Sequence, residues 1–269
     1  MNAKYQMTVE ENIFVAKRNI VDYIWKSTHL EGIEITYSQT YAIYNGTCPT
    51  NMKVSDVISV NNLKYAWHFI LDTIDTPIDL KYICRTNRYV GGNNLITNSG
   101  YLRIVPVLMG GTSWTPDMPD KDKITCELIK ISKIDSPTER SITYMLYCMR
   151  EQMFTDGNKR TGMLIANHEM IRYGCGIITV PIEKQPEFTR LLVDFYETNN
   201  MDKIKQFTYD NCIDGIDFRT QERYNKEQDT NPHSVESIAA AANIKYEEVK
   251  SQKIAALIKN LEQMNSDSE

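Results

Sequence analysis

The sequence has no run approaching the roughly 18–20 apolar residues needed to cross a bilayer, so it predicts no membrane span. Its first 11 residues are polar, with neither an apolar signal core nor a small-residue cleavage site. Positive charge is not in excess. Lys and Arg number 30 against 35 Asp and Glu, a net charge of −5. A broad nucleic-acid surface needs a basic face to displace counterions, so the balance argues against nucleic acid and leaves room for one small basic pocket. The six cysteines (Cys48, Cys84, Cys126, Cys148, Cys175, Cys212) never fall into a CxxC pair. Without clustered spacing, neither a zinc site nor a disulfide framework is indicated, and reduced core thiols are expected. No internal repeat is present. These absences together predict a cytoplasmic protein.

What is there reads as an ordinary globular chain. At 269 residues, 42% hydrophobic and 24% charged, it has room for one large domain, or one domain with an appendage. Helical spacing runs through residues 10–26, with Ile13, Phe14, Ile20, Val21, Ile24 and Trp25 on one side, and Gly32 is placed to stop it. Residues 36–44 and 54–71 read as further helices. From 82 to 119 the texture shifts to GGNN, NSG and GG punctuating short β-rich runs such as 101–109, which predicts a hairpin on a helical body. Helical periodicity returns at 121–134. Ser136-Pro137 opens another helix, TDGNKRTG interrupts it, and 161–173, 186–198 and 201–213 complete the set. The fold class predicted is mainly α with a small β-hairpin. Residues 1–213 form the main domain, 214–232 a polar linker, and 233–269 a helical C-terminal appendage for docking or oligomerisation.

The chemistry concentrates in residues 152–162, QMFTDGNKRTG. A helix beginning near Asn158 aims free backbone N–H groups and the positive end of its dipole into the preceding turn. Gly157, lacking a Cβ, lets a phosphate approach the backbone. Lys159 and Arg160 add two cations at the rim, which makes the turn an anion cradle. Asp156 stands where a hard divalent cation would bridge carboxylate and phosphate oxygens. Phe154 anchors the loop by burying its ring.

This run resembles the signature of Fic/Doc (Fido) proteins, H-x-F-x-[DE]-G-N-[GK]-R, at Phe154, Asp156, Gly157, Asn158, Lys159 and Arg160. NSGYLRIVPVLMGG (98–111) is similar to that family's flap. SPTERSITYMLYCMRE is similar to the helix before its loop, and FYETNNMDKIKQFTYDN (195–211) to the helices closing its core. Ser27-Thr28-His29-Leu30-Glu31-Gly32 fits the family's inhibitory motif, [ST]-x-x-x-E-[GN]. The resemblance spans roughly residues 10–213. It implies an α-helical core with a flap, and transfer of AMP from ATP, with Mg²⁺, to a hydroxyl of a target protein, which includes the chain itself. In those terms Asp156 holds the metal and Gly157, Asn158, Lys159 and Arg160 bind the nucleotide. Glu31 inhibits, and Tyr101, Arg103 and Val105 on the flap align the target.

Two positions depart from the signature. Gln152 stands where the family has its histidine base, and an amide takes no proton near neutral pH, a loss usually worth roughly 10²–10⁴-fold. Met163 stands where the family has a second arginine, which forfeits a bidentate phosphate contact. Met153 replaces a proline, and Lys159 is shared with Doc-like phosphotransferases. His29 and His168 are poor substitutes for the base, and Glu31 is the better-placed group. Three readings follow: AMP or phosphate transfer, nucleotide binding without transfer, and hydrolytic removal of a modification with Glu31 orienting water. The target and the oligomeric state, a homo-oligomer included, are left open.

Overall fold

The computed structural model describes residues 1–218. The linker expected at 214–232 falls almost wholly outside the described residues, and the appendage at 233–269 falls wholly outside them. Nine helices lie among the described residues. Helix α1 (Val9–Leu30) opens with a capping box in which Thr8 and Glu11 satisfy each other's backbone N–H. Its inner face buries Val15, Ala16, Ile20, Tyr23 and Ile24. Helix α2 (Tyr37–Tyr44) repeats the device with Thr36 and Gln39. Helices α3 (Val54–Asp72), α4 (Leu80–Val90), α5 (Lys121–Ser132) and α6 (Pro137–Glu151) follow. Side chains of Asp79, Asp120 and Ser136 cap α4, α5 and α6. Helix α7 (Asn158–Arg172) is central, and α8 (Gln185–Thr198) and α9 (Asp202–Asn211) close the core against α6.

Apart from Lys159 and Arg172, every residue of α7 is buried, so it shows no amphipathic stripe. The polar residues it buries serve as ties. Asn167 bonds the backbone of Ile178 in both directions, at 2.9 and 2.7 Å. Glu169 pairs with Arg140 of α6 at 2.5 Å. Thr161 accepts from Asn87 of α4 at 3.1 Å. Helices α6 and α7 approach so closely at Gly162 that an added Cβ would lie 2.9 Å from the Met145 carbonyl oxygen. That contact holds the two ends of the 152–157 loop in fixed relation.

The structure moves two sequence expectations. Residues 80–90, within or beside the β-rich stretch, are helix α4. Its Tyr and Val content mimics a strand, but the Asp79 cap and a continuous buried face (Tyr82, Ile83, Thr86, Asn87, Val90) decide for helix. The β-structure among the described residues is not at 101–109 either. It is the antiparallel pair β1 (Ile177–Ile178) and β2 (Ile213–Asp214), with Ile177 opposite Asp214 and Ile178 opposite Ile213. Residues 101–109 run without a strand. Pro106 removes a donor there, and Gly110, Gly111, Pro116 and Pro119 break the limb that would have paired with it. All six cysteines are free, as expected. Only Cys148, Cys175 and Cys212 are core thiols, whereas Cys48 and Cys126 are exposed.

Candidate functional site

Helix α6 ends at Gln152, which adopts the left-handed conformation (φ 49°) as its C-cap. Gln152 is buried and both ends of its amide are occupied. Its Nε2 donates to the Met149 carbonyl at 2.6 Å, and its Oε1 accepts from Asn158 Nδ2 at 2.9 Å. Asn158 in turn grips Phe154 twice, accepting from its N–H at 3.0 Å and donating to its carbonyl at 2.8 Å. The loop is thus wound around one buried asparagine. Phe154 is buried as expected.

Gly157 is the N-cap of α7 at φ 78°, and no side chain caps this helix. The amides of its first turn therefore remain open to an anion. A Cβ there would meet Val90 Cγ1 at 3.0 Å and Ile96 Cδ1 at 3.1 Å, so the missing side chain also lets the turn pack closely on Val90 and Ile96. Asn87, fully buried, ties this turn to α4 and to the start of the expected flap. It donates to the Asp156 carbonyl at 3.2 Å and accepts from Gly100 N at 2.8 Å.

Charge at the mouth comes from three elements. Helix α1 ends in a Schellman turn, with Gly32 N bonded to the His29 carbonyl and Ile33 N to the Thr28 carbonyl. That turn aims Glu31 across at the start of α7. Its carboxylate lies 3.2 Å from Lys159 Nζ and 3.6 Å from Arg160 Nε. A carboxylate is disfavoured at its own helix's C-terminus and favoured at the N-terminus it faces. Lys159 also donates to the Leu30 carbonyl at 3.3 Å. Arg160 Nη2 reaches Asp156 Oδ1 at 3.1 Å. Its buried Nε has no hydrogen-bond partner among the described residues. Met163 is buried and cannot contribute charge.

No family model matches the chain. In sequence it is similar to protein adenylyltransferase fic-1 of Caenorhabditis elegans, 25% identical over 177 residues. That match spans 62% of this chain but only 34% of the relative. In fold it is similar to a Fic domain-containing signaling protein from Bacteroides thetaiotaomicron, with TM-score 0.63, 18% identity, and 76% of this chain and 85% of that one covered. A fragment of C. elegans Fic-1 superposes with TM-score 0.58 and 22% identity, over 72% of this chain and 60% of that one. The chain has the fold of Fic-domain proteins. In this Fic fold the segment resembling the signature is the α6–α7 loop, and the segment resembling the inhibitory motif is the last turn of α1.

The remaining expected residues separate. Tyr101 and Val105 are exposed, as are Ile104 and Leu108. Arg103 is not. It is buried, donates to the Gln152 carbonyl at 2.7 Å, and clamps the carbonyls of Val105, Pro116 and Asp117. His29 bonds Gln185 at 3.0 Å, and His168 is buried against the Thr73 carbonyl at 3.1 Å, so neither reaches the loop. Two residues of the site were not singled out in the sequence. Asn87 is one. Tyr196 is the other: its buried hydroxyl sits near Gln152 and Glu31, and burial, then the Glu31 charge, hold it protonated well above the usual range. An asparagine and a tyrosine inside helices carry no sequence signal of this kind. Beyond Gln152 a cavity of about 530 Å³ opens, lined among others by Trp114, Asp117, Tyr147, Glu151 and Phe195. Burial raises the Glu151 carboxyl there.

Proposed function

We propose that this Fic protein binds ATP at the start of α7 and transfers AMP to a hydroxyl of a protein, itself included, under restraint by Glu31. The observation that carries the reading is Arg160. Its buried Nε makes no hydrogen bond among the described residues, and two carboxylates meet its charge, beside a helix start that no side chain caps. Such an arrangement suits a phosphate. Asp156, whose side chain is 63% exposed, would hold a magnesium ion together with phosphate oxygens, the usual arrangement for that ion. Among the described residues no group of three or more ligating side chains exists, so the ion would come with the nucleotide. Bound there, it would offset phosphate charge.

Transfer requires the target oxygen to bond the α-phosphorus while the bond to pyrophosphate breaks, and the hydroxyl proton must leave. The Gln152 amide cannot take it, so the proton passes to water and the rate falls by about 10²–10⁴-fold relative to a histidine-bearing site. Tyr101 and Val105, exposed at the site's edge, would meet the target. The engagement of both ends of Gln152 favours one alternative, nucleotide binding without transfer. Incubation with Mg·ATP followed by intact-protein mass spectrometry separates them. A gain of one AMP unit supports the proposal. A gain of phosphate indicates a Doc-like transfer, and no gain with retained ATP binding supports the alternative.

A further inference from the structure

Away from the loop, α3, α4 and the turn after α4 enclose a second concavity of about 480 Å³. Its walls are Tyr65 of α3, Arg85, Arg88 and Tyr89 of α4, and the amides of Asn62 and Asn93. The three α4 residues are three and four apart and share one face. Asn87, between them in sequence, points the other way, into the loop. The floor is fixed. Asn62 donates to the Gly92 carbonyl at 2.8 Å and accepts from Asn93 Nδ2 at 2.9 Å.

Both cations are exposed and stacked on rings. The Arg85 guanidinium lies 5.0 Å over the Phe69 ring, and the Arg88 guanidinium 5.2 Å over Tyr101. Stacking orients both planes. Neither guanidinium has an ion pair or a hydrogen bond among the described residues. By contrast, Arg140 meets Glu169 and Arg160 meets Glu31 and Asp156. Two unpaired arginines in one cup, on a chain of net charge −5, mark a place for an anion. Tyr65 (50% exposed) and Tyr89 (41%) add ring faces and hydroxyls, and the volume falls in the range of small-molecule sites.

We propose that this cup is a second ligand site, separate from the α7 loop, for a small phosphate ester carried on a planar ring. This is the chemistry of a nucleoside monophosphate. The arginines would hold the phosphate and the tyrosines the ring.

The test is equilibrium dialysis of the full chain with AMP, and with inorganic phosphate and adenosine as partial probes. The parent should bind two AMP, and Asn158→Ala, which dismantles the loop, should bind one. In that background, Arg85→Ala and Arg88→Ala should each weaken the remaining site on the order of tenfold. Phosphate alone and adenosine alone should bind there more weakly than AMP. If Asn158→Ala binds no AMP, or if the arginine variants bind it as well as their background does, the proposal is overturned. If instead Asn158→Ala binds as the parent does while the arginine variants lose a site, the cup stands and the loop reading falls. A measurement on the unaltered protein guards against misfolding. AMP should slow phenylglyoxal modification of Arg85 and Arg88 several-fold, mapped by peptide mass, and absence of protection at both would overturn the site.

Discussion

On the proposed function, Gln152 and Glu31 each limit the same loop. Gln152 withholds a proton acceptor, and Glu31 occupies cations that phosphate would use. With Met163 in place of an arginine, Lys159 joins Arg160 in meeting the glutamate. Glu31→Gly should therefore open the site but raise AMP incorporation only slightly. Gln152→His should raise it more, and the double variant most, as read by labelled-ATP incorporation. A double variant as silent as the parent, while still binding nucleotide, would show that the site has diverged beyond one residue. His168 makes a separate prediction. Burial pushes it down to about 4 from 6.5, so the folded state holds it neutral. A group depressed in this way contributes its stability above its unfolded pKa and loses it as pH falls toward the folded one. Stability should therefore decline between pH 6.5 and 4 by up to on the order of 3 kcal/mol. Denaturant titrations of His168→Gln should show a flatter profile over that window, and an unchanged slope would remove His168 from the account.

At the scale of elements, α1 carries the proposed restraint and is also structural. It packs on α3 and α7, and Tyr23 donates to Asp214 of β2 at 2.8 Å. A merely inhibitory helix would be removable, and this one should not be. Ile24→Ala should cost about 2–5 kcal/mol, and removal of residues 1–32 should leave no cooperative unfolding transition. If the shortened chain melts cooperatively at the parent's temperature, α1 is an accessory. The legibility of the elements follows their environment. Helices α1 and α6 open on clear side-chain caps and α8 buries an apolar face, so the sequence shows them. Helix α4 fell in the stretch read as β-rich because Tyr82, Ile83, Tyr89 and Val90 suit either state, and the Asp79 cap and packing on α7 decide for helix. The run at 101–109 is β-rich in composition, yet Arg103 is drawn inward to the carbonyls of Gln152, Pro116 and Asp117. The loop was legible because its turn, cations and anchor are local in sequence. Asn87, Tyr196 and the Lys159–Glu31 pair were not, since each acts across a long sequence separation.

At the scale of the molecule, Met1–Ile216 form one unit whose closing strand is β2. The C-terminal residues beyond this unit are proposed to be separable. A chain ending at residue 217 should unfold at the parent's temperature and keep nucleotide binding. One ending at residue 211 should lose the β1–β2 pair and the Tyr23–Asp214 bond, and melt lower. Equal melting of the two would deny β2 a structural role. The central claim is that the start of α7 is a phosphate site held by Glu31. Calorimetric titration with Mg·ATP of the parent, Glu31→Gly and Asn158→Ala tests it most directly. The account predicts tightest binding for Glu31→Gly, weaker for the parent, and loss in Asn158→Ala; equal affinity in all three would contradict it.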